Sequence, residues 1–268
     1  MIHSISCDAP ILRAAIRLIY RAQGQPGSNG GKAPDMLIKY IRNVTRETAM
    51  CPAAPRQTLP SVQLSTRKRS QTHERLLDFA YDAIIQKGFA ATSIEELVEA
   101  AGITKSGFFY HFKDKNDLAR QLLERYLAES EIVLDQLEVR ARELHDDPLH
   151  AFLIFLKLYS EMVRDMIAQH PGCIVSTLTY QDRLFDETVV RLNREGMLAW
   201  RARFLRWLEE IVPVHPPRVA VDISDLADQM TVIADGSIIM QRALADPSIL
   251  ERQAMLHRSM VRRLFLDN

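Results

Sequence analysis

The chain has 268 residues, a length that fits about two domains, and its 34 basic residues balance 34 acidic ones. Hydrophobic residues make up 47% of the sequence and charged residues 25%, as in ordinary soluble globular proteins, and no apolar run approaches the ~20 residues that a membrane-spanning helix needs. The composition therefore excludes a membrane-embedded or wholly disordered chain. A nucleic-acid site has to be sought in local clusters of charge.

Cysteines are few and scattered, at Cys7, Cys51 and Cys173. Their odd number and the lack of a C-x-x-C spacing predict neither a disulfide framework nor a zinc site, so a reducing compartment fits. The first residues lack the basic, apolar and small-residue regions of a secretory signal. We therefore expect a cytoplasmic protein.

Residues 1–65 differ in composition from the rest of the chain. Glycines and prolines interrupt any periodicity, and eight basic residues stand against three acidic ones. Arg13, Arg17 and Arg21 would share one helical stripe, which suits a membrane-surface or organelle-targeting segment. We favour a disordered leader, either a flexible tail or sequence upstream of a later start at Met36 or Met50.

From Thr72 onward the apolar residues recur with helical spacing almost without a break, and no stretch alternates with a period of two. This pattern predicts an all-α protein. A first helix is predicted from Thr72 to Lys87, where Gly88 ends it. A second is predicted to begin at Thr92, which has the spacing of a capping box with Glu95, and to end at 100 or 101.

A tight turn and a short helix are predicted next. Gly102 suits the turn, and Thr104 is placed to cap a third helix that ends near Tyr110. Asp114 is predicted to cap a long fourth helix that ends before a polar break at 145–148. The domain boundary is placed along this helix. Five further helices are predicted at 148–169, 173–181, 184–212, 222–245 and 247–265.

A dense motif runs from Gly88 to Leu118. It contains a glycine followed by an aromatic residue (GFAATS), an alanine-glycine turn (AAGITKS), and YHF followed by K-x-x-L (YHFKDKNDL). Over roughly residues 70–120 the chain resembles the DNA-binding domain of the tetracycline-repressor (TetR) family. The resemblance implies a three-helix helix-turn-helix DNA-binding domain at 66–120 and a larger helical ligand-binding and dimerisation domain at 121–268.

The residues of the third helix also suit DNA, because small and polar groups at its ends would fit a major groove about 12 Å wide. Arg67, Lys68 and Arg69 are predicted to precede the first helix as a mobile arm that tracks phosphates, with a solvated charge run as the alternative. At the start of the fourth helix a lysine and the helix dipole would both meet a phosphate. The resemblance places DNA contacts at Thr92, Thr104, Lys105, Gly107, Tyr110, His111 and Lys115.

Some of these positions have a plainer interpretation. Tyr110 could pack between the third and fourth helices, and Thr92 is first a helix cap. Ser106 stands where the family usually has glycine, and Phe109 where it often has tyrosine. These two departures support an alternative function, a helical interaction module that has kept the fold but lost specific DNA binding.

The second domain carries aromatic and methionine side chains on shared helix faces. A cavity lined by them would take an apolar or aromatic effector, and a filled core is the alternative for each residue. The resemblance implies a ligand pocket in this domain but assigns no residue to it. The candidates for the pocket are Phe152, Phe155, Tyr159, Met162, Met166, Trp200 and Phe204.

The last two predicted helices carry more apolar surface than a terminal hairpin can readily hide. We expect them to form a homodimer interface, and the family uses this region likewise. Two-fold symmetry would then place two recognition helices about 34 Å apart on a palindromic operator. The residues predicted in the interface are Leu226, Met230, Ile233, Leu256 and Val261.

Catalytic motifs are missing from the sequence: it has no Gly-rich phosphate loop, nucleophile elbow or H-E-x-x-H. We expect no enzyme, no metal and no cofactor. The group nearest to a metal site is His145, Asp146, Asp147 and His150, which we interpret as a solvated helix connection around Pro148.

The sequence as a whole predicts a ligand-responsive transcriptional regulator, in the first place a repressor. A small molecule is expected to enter the second domain, tilt the fourth helix and change the separation of the two recognition helices, so that the dimer leaves its operator.

Overall fold

The computed structural model describes residues 61–167 and 172–266, and the side chains within 70–164 and 172–266. The predicted leader lies outside these residues, apart from its last five positions. Within the described ranges every regular element is a helix, so the predicted all-α class is confirmed. No helix there is long and apolar enough to cross a membrane.

The helices follow one another with short connections. From α2 onward each begins and ends within a turn of its predicted position. Their bounds are α1 Ser61–Lys87, α2 Ile94–Ala101, α3 Lys105–His111, α4 Lys115–Leu144, α5 Pro148–Ile167, α6 Ile174–Tyr180, a 3₁₀ turn Asp182–Leu184, α7 Glu187–Ile211, α8 Ile223–Leu244 and α9 Ile249–Phe265.

The first helix begins at Ser61 rather than at Thr72. Residues 61–71 contain neither glycine nor proline, and Pro60 stands directly before them, a position at a helix start where proline costs no hydrogen bond. The basic run 67–69 therefore lies within α1. The prediction that Arg67, Lys68 and Arg69 precede the first helix as a mobile arm was wrong.

Side-chain caps fix the starts of α3 and α4 as predicted. The Thr104 hydroxyl accepts a hydrogen bond from Gly107 N at 3.1 Å, and the Asp114 carboxylate accepts one from Asp117 N at 2.8 Å. Each bond satisfies a backbone donor that the first helical turn leaves without a partner. These caps set the direction in which α3 leaves the turn and α4 follows it.

The start of α2 differs from the prediction. Ser93 is its cap and accepts from Glu96 N at 3.2 Å. Thr92 instead donates its hydroxyl to the carbonyl of Gly88 at 3.0 Å and is buried. The capping box predicted between Thr92 and Glu95 is therefore wrong by one residue. The threonine side chain is buried, and its hydroxyl bonds to the turn before α2 instead of capping that helix.

A first hydrophobic core joins α1–α4 to the next helices. Residues Thr66–Asn268 form one compact unit, and this core crosses the residue-120 position at which we placed the domain boundary. That boundary stays a prediction. The core includes Leu76, Leu77, Ala80, Ile84, Leu97, Phe108, Phe112, Leu118, Leu122 and Leu123 from α1–α4, and Ile174, Val175, Leu178 and Val189 from α6 and α7.

A second core lies among α4, α5, α7, α8 and α9, where α5 packs on α9 and α7 on α8. Three of the residues predicted in the dimer interface belong to this core: Leu226, Met230 and Val261 are buried inside the protomer. Their assignment to an interface was wrong, because they form the contacts that hold α8 and α9 to α5 and α7. Ile233 is half-buried and Leu256 is exposed.

Candidate nucleic-acid interface

The connection between α2 and α3 is a three-residue turn. Gly102 adopts a left-handed conformation with φ +64°, which glycine takes without the steric cost that a side chain would bring. Its N–H donates to Glu99 O and the N–H of Ile103 donates to Val98 O, both at 3.0 Å. These bonds end α2 and start α3 at a fixed angle, which is the geometry of a helix-turn-helix.

The third helix buries one side chain, leaves Gly107 and His111 half-buried and exposes its other residues. Phe108 is fully buried, and its ring centroid lies 5.3 Å from that of Phe112. This anchor holds the inner side of α3, so the opposite side presents small, polar and aromatic groups to solvent. The exposed residues are Thr104, Lys105, Ser106, Phe109 and Tyr110.

The structure sorts the residues that were predicted to contact DNA. Thr104, Lys105 and Tyr110 lie together on the exposed surface, while Gly107 and His111 are half-buried. Tyr110 is 63% exposed, so its alternative interpretation as core packing was wrong. The same surface also carries Ser106 and Phe109, whose exposure follows from helical spacing about the one buried phenylalanine.

Lys105 forms an ion pair on this surface. Its ammonium lies 2.7 Å from the Glu95 carboxylate on α2, and both side chains are exposed. The hydrogen bond from Lys105 lowers the pKa of Glu95 below its ordinary value. Exposed pairs of this kind are worth little, so the lysine can exchange the carboxylate for another anion at small cost.

Two predicted contacts point into the protein. Thr92 is only 1% exposed, which takes it out of reach of DNA, and its role is to hold the α1–α2 turn. Lys115 donates to the carbonyl of Phe89 at 2.5 Å and lies 4.1 Å from the centroid of the Phe89 ring. Burial lowers the pKa of Lys115. The Lys115 ammonium is therefore held by the α1–α2 turn, and its contact with a phosphate stays a prediction.

The α1–α2 turn also links the helix-turn-helix to the rest of the chain, which the sequence did not predict. Phe89 N donates to the Gln181 side-chain oxygen at 3.0 Å, and the rings of Phe89 and Phe185 lie 4.4 Å apart. Gly88 has φ +86°, and a Cβ there would lie 2.8 Å from the Gln181 amide nitrogen. A side chain at this glycine would disturb both the turn and its contact with the end of α6.

The aromatic residues predicted to line a ligand pocket lie at two depths. Phe152, Phe155 and Phe204 are buried in the second core, and the Phe155 ring lies 6.0 Å from that of Trp207 and 6.2 Å from that of Phe204. The other residues predicted to line the pocket are less buried than this cluster. Tyr159, Met162 and Trp200 are half-buried, and Met166 lies in α5 with its side chain outside the described residues.

Buried polar groups accompany the half-buried aromatic residues. The Trp200 Nε1 and Ser160 Oγ atoms are buried without a hydrogen-bond partner among the described residues. Burial raises the pKa of the Tyr159 hydroxyl and of the Asp235 carboxyl. Polar groups without a partner in an apolar surrounding are costly, so they mark the places where a bound molecule or water would be stabilised.

This geometry defines a helix-turn-helix protein of the all-helical kind. Residues 76–122 match the family model described as "Bacterial regulatory proteins, tetR family". The motif, the fold and this match agree that residues 76–122 form a DNA-binding domain of the TetR-family type. The resemblance on which the sequence analysis relied is confirmed.

Similar proteins include two curated regulators and a solved structure. The HTH-type transcriptional regulator AcrR of Shigella flexneri is 37% identical over 83 residues, which are 31% of this chain and 37% of AcrR. YwcC of Bacillus subtilis, an uncharacterized HTH-type transcriptional regulator, is 26% identical over 187 residues, 68% of this chain and 81% of YwcC. A TetR-family regulator from Agrobacterium tumefaciens has a TM-score of 0.63 at 22% identity and covers 74% of this chain and 100% of its own.

These matches differ in what they show. The structural match establishes the fold, and the match to AcrR covers little more than a third of that relative's length. The relatives that match by sequence are named as transcriptional regulators, in keeping with the expected regulator.

Proposed function

We propose that the chain is a ligand-responsive transcriptional repressor that binds a palindromic operator as a homodimer, with α3 in the major groove. The observation that carries the proposal is the surface of α3. One buried phenylalanine anchors the helix, and Thr104, Lys105 and Tyr110 face solvent together. A rigid helix with exposed polar groups at its N-terminal end suits direct readout of base edges.

The first experiment selects genomic fragments with the full-length protein over a salt titration. Enrichment of a palindrome supports the proposal, and binding that weakens as salt rises supports phosphate contacts. No enrichment by a folded dimer would favour the helical interaction module, a candidate that the exposed apolar Phe109 also supports.

Replacing Lys105 with alanine is expected to weaken operator binding about 10-fold to 100-fold, the cost of losing a base or phosphate contact of ~1–3 kcal/mol. Lys157→Ala is the matched control, since Lys157 is also exposed and paired with a carboxylate, Glu161, but lies in α5. It should bind as the wild type does. Affinities are measured by fluorescence anisotropy on the selected operator at several salt concentrations. Equal affinities for wild type and Lys105→Ala would remove this residue from the interface.

A homodimer fits the apolar side chains that α8 and α9 leave exposed. On α8, Val232, Met240 and Leu244 lie on one stripe with a four-residue spacing, and Gly236 takes the position between Val232 and Met240, where a Cβ would meet open space. Two such helices from each protomer would make a four-helix contact and remove this apolar surface from water. The exposed residues are Val232, Ile239, Met240 and Leu244 on α8 and Leu256 and Met260 on α9.

Met240→Glu is expected to raise the dimer dissociation constant at least 10-fold, because symmetry introduces the charge twice into one apolar contact. Val139→Glu is the control, since Val139 is also exposed but lies on α4. Sedimentation equilibrium distinguishes the 30.6 kDa protomer from a dimer of twice that mass. A wild-type chain that stays monomeric at micromolar concentration, or a Met240→Glu variant that dimerises as well as the control, would contradict the assignment.

The effector is proposed to be an apolar or aromatic molecule that binds beside the second core, near Tyr159, Met162 and Trp200. Half-buried aromatic walls and unpartnered polar atoms support this position. The chain has two tryptophans, both in α7. A library of aromatic compounds can therefore be screened by thermal shift and tryptophan quenching. Compounds that raise the melting temperature without releasing the operator would count against an effector role.

The signal is proposed to pass from this region to the operator through α4 and through the contact of Gln181 with Phe89. Both connect the second core to the helix-turn-helix, since α4 contributes to both cores and Gln181 ends α6. An effector that shifts α6 would change how the α1–α2 turn is held. Hydrogen exchange at residues 86–92 should change when a releasing compound binds, and release without such a change would contradict this route.

A further inference from the structure

A cluster of three histidines and one aspartate lies at the C-terminal end of α4, about 45 Å along that 30-residue helix from its DNA-proximal start. His145 and Asp147 come from the α4–α5 connection and His150 from the first turn of α5, and each offers a ligand atom within 4.8 Å of the other two. His215 comes from the α7–α8 connection, with its Nε2 atom 2.6 Å from Asp147 Oδ2. Chain segments 68 residues apart thus meet at one carboxylate.

One distance within the cluster is close to that between two ligands of a metal ion. The Nδ1 atom of His150 lies 2.8 Å from Asp147 Oδ1, and the rings of His145 and His150 stack with centroids 4.7 Å apart. Ligand atoms around a tetrahedral zinc ion are roughly 3.3 Å apart, given bonds of about 2.0–2.1 Å. An ion that replaces the shared proton would need only a few tenths of an ångström of opening between the histidine and the aspartate.

The surroundings hold the carboxylate in place. Asp147 Oδ1 accepts from the backbone N–H of His150 at 2.9 Å, so the aspartate also caps the first turn of α5. The His145 Nδ1 atom accepts from the Asp147 N–H at 3.0 Å, which orients that ring. Outer hydrogen bonds of this kind orient the ligands in metal sites, and ligating carboxylates are themselves hydrogen-bonded.

We propose that His145, Asp147 and His150 bind a divalent transition-metal ion, with His215 as a positioning residue that donates to the second oxygen of Asp147. Imidazole and carboxylate together suit zinc and its neighbours in the first transition row. His145 is exposed and the other three residues are half-buried, so an ion can enter from solvent and water can complete its coordination. The bound ion would tie the end of α4 to the first turn of α5. The site is independent of the proposed operator binding.

The test uses cobalt(II) and zinc(II) as probes on the metal-free full-length protein. Cobalt titration is followed by visible absorption and zinc titration by calorimetry. The wild type is expected to bind one ion more than His145→Gln or His150→Gln, because each variant lacks one ligand. Glutamine is chosen since its side chain has a polarity similar to that of histidine. Asp146→Asn is the matched control, since Asp146 is exposed in the same connection and outside the cluster. It should bind as the wild type does.

His215→Gln separates the positioning role from direct ligation. It should keep the stoichiometry and weaken binding about 10-fold to 100-fold, the usual effect of losing an outer hydrogen bond. Zinc should also raise the melting temperature of the wild type more than that of His145→Gln, an exposed position whose substitution leaves the packing intact. Equal stoichiometry and affinity in the wild type, His145→Gln and His150→Gln would overturn the proposal. None of these measurements involves DNA, so failure of operator binding would not affect them.

Discussion

Arg203→Ala is expected to lower the free energy of unfolding by about 2–4 kcal/mol, because it leaves a group of carboxylates without their cation. Arg203 is 4% exposed on α7 and reaches three acidic residues of α4: Glu138 at 2.9 Å, Glu131 at 2.6 Å, and Asp135. We place the cost below that of a fully buried pair because the side chain of Asp135 is 64% exposed and water screens it. The measurement is urea unfolding at one fixed protomer concentration, since dimerisation would add to stability.

Two further variants serve as comparisons for the loss of stability in Arg203→Ala. Arg203→Lys keeps the charge but loses the forked geometry and should give an intermediate loss. Arg201→Ala removes a cation on the same helix whose ion pair with Asp228 is exposed, and it should unfold close to the wild type. If Arg203→Ala matched Arg201→Ala, the contact between α4 and α7 would not depend on this arginine.

The second large effect is a loss of stability in acid that His257 causes. His257 lies on α9, is 1% exposed, and burial lowers its pKa to about 4. Above pH ~6.5 the histidine is neutral in both states and has no effect. Below that pH His257 is protonated in the unfolded chain but stays neutral in the folded chain. The free energy of unfolding therefore falls as the pH drops. Between pH ~6.5 and about 4 the loss is about 3 kcal/mol, at 1.36 kcal/mol per pKa unit.

The measurement compares how the free energy of unfolding depends on pH in the wild type and in His257→Leu. The substitution removes the titrating group and fills its place with an apolar side chain of similar size. Carboxylates titrate in both proteins, so the difference between the two curves isolates the histidine. We expect that difference to grow steadily as pH falls below ~6.5 and to level off near 4. Parallel curves would show that the imidazole is protonated as readily in the folded protein as in the unfolded one.

The local features of the helix-turn-helix could be predicted from the sequence. Thr104 and Asp114 cap their helices as predicted, and Gly102 takes the left-handed turn. Such features depend on residues within a few positions of one another, and their chemistry is the same in every fold. The exposed residues of α3 followed from the same local spacing once Phe108 was known to face inward.

Side-chain partners from distant segments could not be predicted. The contacts of Lys115 with the carbonyl and ring of Phe89 were not predicted. Leu226 and Val261 were expected at a dimer interface, yet they fill the second core. An apolar face on a helix indicates that something covers it, and the sequence pattern alone does not say whether the cover is another helix of the same chain or a second copy.

The sequence by itself determined the all-α class, the order and approximate bounds of the helices, and the TetR-family motif, because helical periodicity, caps and turn glycines act within short stretches of chain. Only the tertiary structure decided which polar and apolar groups meet. The cap at Ser93, the inward lysine, the carboxylates around Arg203 and the histidines around Asp147 all depend on contacts between distant segments. Those contacts are set by how the helices pack, since the energy of each depends on burial and geometry that no local pattern encodes.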